Sequence, residues 1–112
     1  VDFYNLGCCY NYGYGTDPDF EKAAACYDKA VAAGIGAAEN NLGVLYLCGQ
    51  GVTQDTFKAM ALFKKAADKG DPNAMLSMST VFLYELHPEI PRDEEIGRSW
   101  LLKAAEAGHP SA

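Results

Sequence analysis

A chain of 112 residues has room for one modest domain and no more. Apolar residues make up 49% and charged residues 21%, a folded-protein balance that argues against disorder. The net charge is -6 and the nine Lys and Arg are scattered singly or in pairs, so there is no basic face for nonspecific nucleic-acid binding, and no run approaches the roughly eighteen apolar residues of a membrane span.

The opening residues, VDFYNLGCCY, have no basic n-region and do not read as a signal peptide. The lack of an initial Met points to a processed, trimmed or excised chain, so an export signal removed beforehand stays open. The first helical pattern covers DFYNLGCCYNYG, with Gly7 in its interior. GYGTDPD follows as a Gly-rich turn, and Asp17 before Pro18 reads as an N-cap with proline in the first turn. The G-x-G could be taken for a phosphate cradle, but no strand precedes it and no Gly-Lys-Ser/Thr follows. The second helix is EKAAACYDKAVAAG, closed by Gly34.

AAENNLGVLYLCG gives the third helix, with Gly43 inside it, and GQGVTQD the next Gly-rich turn. In TFKAMALFKKAADKG the residues Phe57, Ala59, Leu62, Phe63, Ala66 and Ala67 recur at helical steps and form one apolar stripe. Gly70 closes that helix, and Asp71-Pro72 starts another, AMLSMSTVFLYE. The turn ELHPEIPRD lacks glycine and holds Pro88 and Pro91, so it reads as a longer, stiffer loop. IGRSWLLKAAEAG is the last helix. His109-Pro110 then marks a further helix start at the end of the sequence.

These segments repeat. A shift of 36 residues superposes Leu6-Gly7 on Leu42-Gly43, Tyr10 on Tyr46, Asp19 on Asp55, Lys22-Ala23 on Lys58-Ala59, Lys29-Ala30 on Lys65-Ala66 and Gly34 on Gly70. With two residues inserted in its loop, a third unit aligns Asp93, Gly97, Lys103-Ala104 and Gly108. Its Met78-Ser79 and Phe82 stand where Leu42-Gly43 and Tyr46 stand. The chain therefore divides into units of about 1–36, 37–72 and 73–110, with 110–112 beginning a fourth. Asp19, Asp55 and Asp93 open the second helices, where a negative charge suits the helix dipole.

A mid-helix glycine costs about 1 kcal/mol against alanine. Its recurrence at one register implies close helix contact, with Ala23, Ala59 and Gly97 as the small partners on the second helices. Tyr10, Tyr46 and Phe82 are expected to fill the space beside that contact. The core is expected to hold Leu6, Tyr10, Leu42, Tyr46, Met78 and Phe82. Asp2, Glu21, Asp28, Glu39 and Asp68 are expected on outer faces or at helix starts.

The four cysteines are Cys8, Cys9, Cys26 and Cys48. They form no CxxC pair, and neither His87 nor His109 has ligand spacing to them. They read as small apolar side chains in a reducing, cytoplasmic setting. A Cys9–Cys26 bridge and an exported protein stay open. No cofactor or metal is indicated.

The unit LGVLYLCGQGVTQDTFKAMALFKKAADKGDPNA resembles a Sel1-like repeat, the tetratricopeptide-related helix pair. Leu-Gly, a Tyr, Gly-x-Gly-Val, an Asp, Lys-Ala, Lys-Ala-Ala and a closing Gly are all present. The first unit keeps most of these elements, and the third keeps WLLKAAEAG. The resemblance implies an all-α fold, a right-handed superhelix of stacked helix pairs that serves as a non-catalytic adaptor. On the concave face, lined by the first helices, the expected binding residues are Asn5, Cys8 and Tyr12; Asn41, Val44 and Cys48; and Ser77, Thr80 and Tyr84. Amides there suit a peptide backbone and tyrosine rings supply contact area. The expected partner is a protein or peptide. Self-association end to end is an alternative, as is the beta-lactam binding or hydrolysis linked to secreted cysteine-rich relatives. Those relatives carry a cysteine pair in each repeat, a pattern that the four cysteines here do not follow.

Overall fold

A computed structural model describes residues 2–13, 15, 17–84 and 91–108. Within them the chain forms six helices and no strand: α1 (Phe3–Tyr12), α2 (Phe20–Ala32), α3 (Gly36–Cys48), α4 (Thr56–Asp68), α5 (Pro72–Tyr84) and α6 (Glu94–Glu106). Each odd-numbered helix packs on the even-numbered one that follows, and α2 and α4 pack in turn on α3 and α5. The result is an all-α solenoid of three stacked helix pairs.

Local chemistry fixes where the second helices begin. The carboxylates of Asp19, Asp55 and Asp93 accept the backbone N–H of Lys22, Lys58 and Ile96 at 3.1, 3.0 and 3.1 Å. Asp19 is thus the cap of α2, and Asp17 is not: the helix starts two residues later than the Asp17-Pro18 pair implies. The same three caps tie each pair together. Their backbone N–H groups donate to the carbonyls of Tyr10, Tyr46 and Phe82 at 2.8, 3.0 and 2.9 Å. The bond spans nine positions in the first two repeats (19 − 10, 55 − 46) and eleven in the third (93 − 82). The two extra residues of the third loop therefore leave the docking of α5 on α6 unchanged. Residues 85–90 of that loop, including Pro88, and residues 109–112 lie outside the described residues.

The interior glycines face rings. A Cβ on Gly7 would lie 2.6 Å from the Tyr27 ring, and one on Gly43 would lie 2.7 Å from the Phe63 ring. Tyr27 and Phe63 are fully buried and stand 36 residues apart, the same interval as the glycines. These two rings, rather than Tyr10, Tyr46 and Phe82, fill the close contact; the latter three are only half-buried. In the third pair the buried Ser79 takes the glycine's place, and the ring's register falls on Leu101, a smaller side chain. Burying each ring contributes roughly 1.5–3 kcal/mol.

Three further expectations about burial fail. Leu42 and Met78 are buried against the preceding helix pair, whereas Leu6, at the same register, is 36% exposed because no preceding pair is among the described residues. Phe57 drops out of the α4 stripe and is exposed, at the register of Glu21 and Glu95. Glu39 is not on an outer face. It is fully buried and ion-paired with Lys69, whose ammonium also reaches the carbonyl of Gly34 at 3.4 Å.

A candidate interaction face on the first helices

Among the described residues α3 touches α5 directly, while the second helices of neighbouring repeats make no comparable contact. α1 and α3 make no comparable contact, so of the first helices α3 and α5 are the two that adjoin. The composition of the first helices differs sharply from that of the second helices. Within α1, α3 and α5 the single charged residue is Glu39, which is buried.

The nine sequence-proposed residues fall on this row of helices in the following way. Tyr12 and Tyr84 are 57% and 68% exposed, and Val44 and Cys48 are exposed between them in sequence. Asn5 is exposed but turned toward its own cap, donating from Nδ2 to Asp2 at 2.7 Å. Two groups of residues are brought together across repeat boundaries. In the first, the Tyr27 hydroxyl donates to Cys8 Sγ at 3.6 Å, and Asn41 Nδ2 donates to the Tyr27 oxygen at 3.3 Å and to Cys8 Sγ at 3.8 Å. One phenol thus links α1, α2 and α3 and fixes the orientation of Asn41. In the second, Val44, Ser77 and Thr80 line a groove of about 230 Å³ with Leu47 and Leu76, and Phe63 and Val81 at its base. Ser77 Oγ shares its proton between Asn40 Oδ1 at 2.9 Å and the Asn73 carbonyl at 3.0 Å, and Thr80 donates to the Leu76 carbonyl at 2.9 Å.

Tyr27, Leu47 and Leu76 are absent from the sequence-level site. Tyr27 carried a signal, since it and Phe63 share the interval of Gly7 and Gly43. Leu47 and Leu76 carried none, because their groove exists only where α3 meets α5.

All four cysteines are free thiols. Cys26 is buried, Cys8 half-buried, and Cys9 and Cys48 exposed. The hydrogen-bonding neighbours of Cys8 are a phenol and an amide. His87 and His109 lie outside the described residues. No group of three or more His, Cys, Asp or Glu among the described residues is placed to hold a metal ion.

Burial raises the Tyr27 phenol well above its usual value of 10.0, and the bond to Cys8 adds to the rise; burial also raises Tyr4. The unfolded chain loses these protons near pH 10 while the folded chain keeps them. The associated stability is therefore complete below pH 10 and lost as pH rises beyond it, with a limiting slope of about 1.4 kcal/mol per pH unit per phenol. Denaturant midpoints measured from about pH 8 to 11 should fall for the parent protein, and the fall should be shallower in Tyr27→Phe.

Comparison with known proteins places this geometry in a family. The model of the Sel1 repeat matches residues 4–35, 36–71 and 72–109. Two solved structures are similar in sequence and shape. One is c5321, a protective antigen of uropathogenic Escherichia coli strains displaying an SLR fold: 34% identity, TM-score 0.83, with 96% of this chain and 22% of that one covered. The other is a Sel1 repeat protein from Oxalobacter formigenes: 30% identity, TM-score 0.86, with 97% of this chain and 44% of that one covered. This chain thus spans less than half the length of either, and no curated protein matches it. Three consecutive matches, each taking in one helix pair, show that the chain belongs to the Sel1 repeat family.

Proposed function

We propose that the chain is a protein-interaction module that holds an extended polypeptide on the face lined by α1, α3 and α5. Sel1 repeat proteins are commonly protein-interaction scaffolds. The observation that carries the reading to this face is the exposure of Tyr12, Val44 and Tyr84 on helices that carry no exposed charge, whereas the exposed Phe57 and Leu102 of α4 and α6 stand among charged neighbours. Tyrosine supplies a large rigid contact area at low entropic cost, and exposed apolar groups on a folded chain mark interaction sites.

The test is selection of binders from a displayed random-peptide library on the immobilised protein, followed by Asn41→Ala and Tyr84→Ala. Each substitution should weaken the selected peptides by about tenfold, the loss expected of a contact worth 1–2 kcal/mol. Peptides that bind both variants as tightly as the parent would place recognition elsewhere.

A further inference from the structure

Exposed charge is missing from the face lined by the first helices. The protein carries fifteen Asp and Glu and nine Lys and Arg. None is an exposed residue of α1, α3 or α5, since Glu39 is enclosed and paired with Lys69. The lysines that reach toward these helices come from α2 and α4 and lie across rings: Lys29 over Phe3 at 5.0 Å, Lys22 over Tyr10 at 5.6 Å and Lys58 over Tyr46 at 4.6 Å.

Two further features stand on this neutral strip. The groove between α3 and α5 is walled by Val44, Leu47 and Leu76 and edged by the hydroxyls of Ser77 and Thr80. The protons of both hydroxyls are already given to Asn40 or backbone carbonyls, so the groove offers a ligand apolar surface and no free hydroxyl proton. One helical turn from Val44 stands Asn41. Its amide protons are directed at Tyr27 and Cys8, which leaves Oδ1 as an oriented acceptor.

We propose, resting on the interaction face described above, that its ligand is an uncharged extended segment with one aliphatic side chain. That side chain enters the α3–α5 groove, and a backbone N–H of the segment donates to Asn41 Oδ1. A charged residue over the groove would lose hydration and gain no counter-charge, so charged segments are rejected rather than merely unfavoured. The uncharged groove also fixes the response to salt, because screening acts on charge pairs and its lining contains none.

The experiment uses the peptides selected on the intact protein, resynthesised with the groove residue as Leu, Val, Asp or Lys. Leu and Val peptides should bind at least about tenfold more tightly than Asp or Lys peptides. Affinity should change by less than about twofold between 50 and 500 mM NaCl. Thr80→Lys should abolish the aliphatic preference, and Val44→Ala, a truncation at an exposed position, should weaken it while thermal unfolding stays unchanged. Selection of acidic or basic peptides, or a steep salt dependence, would overturn this inference. If Tyr84→Ala still weakened those peptides, the interaction face itself would stand. Peptides indifferent to every one of these substitutions would overturn both.

Discussion

Gly51→Ala should lower stability by about 3 kcal/mol or more. Gly51 has φ of +74°, a region that costs a non-glycine residue about 1–3 kcal/mol. An added Cβ would also lie 2.3 Å from the carbonyl carbon of Phe20, 2.4 Å from its oxygen and 2.6 Å from the backbone nitrogen of Glu21. These are backbone atoms in the first turn of α2, so no side chain can swing away. Either the loop between α3 and α4 lifts off α2 or the first two repeats separate, at a further cost of roughly 1–3 kcal/mol. For a domain near this size the total lowers the unfolding midpoint by about 10 °C or more. Gly15 provides an internal control. It occupies the same register one repeat earlier, with φ of +77°, and an added Cβ there meets nothing within 4 Å. Gly15→Ala should therefore show the backbone cost alone, about 1 kcal/mol. Calorimetry on both variants measures the difference. Equal losses would mean that the loop does not rest on α2.

The second large effect is a coupled one. Gly43→Ala improves helix propensity by about 1 kcal/mol but drives a methyl to 2.7 Å from Phe63 Cε1 and 3.3 Å from the Ala59 carbonyl oxygen. Overpacking of this kind costs about 1–3 kcal/mol, so the net change should be destabilising. Phe63→Leu alone opens space beside Gly43 and is also destabilising. Together the two substitutions approach the third repeat, where Ser79 and Leu101 occupy these registers, with alanine in place of the serine. The double variant should be more stable than the sum of the single changes by about 1–2 kcal/mol. Urea midpoints on the four proteins of the cycle give the coupling, and simple additivity would show that the ring and the glycine do not set each other's size.

Much of the fold could be read from the chain because the controlling interactions are local. Three aspartates cap three helices at one register, and Gly34, Gly70 and Gly108 adopt φ of 84, 91 and 92° after the helices they close. Such features depend on residues three or four positions away. Burial depends on neighbours from other repeats, and there the sequence misleads. Leu6 matches Leu42 in identity but not in environment, because among the described residues no helix packs on the far side of α1 as α2 packs on α3. Glu39 reads as surface charge because Lys69, its partner, is thirty positions away.

The candidate site divides in the same way. The row Asn5–Tyr12, Asn41–Cys48 and Ser77–Tyr84 follows from helical stepping. The groove, and the restraint on Asn41 by Tyr27 and Cys8, arise only where neighbouring repeats meet. Periodicity along one helix carries no information about how closely α3 approaches α5.

Amide chemical-shift mapping on the isotopically labelled chain, titrated with a selected neutral peptide of about eight residues, tests the proposed function most directly. Perturbed amides should cluster on α1, α3 and α5, strongest at Asn41, Val44, Ser77 and Thr80, with the solvent-facing amides of α2, α4 and α6 unmoved. Saturable shifts confined to those second helices, with α3 and α5 silent, would contradict it.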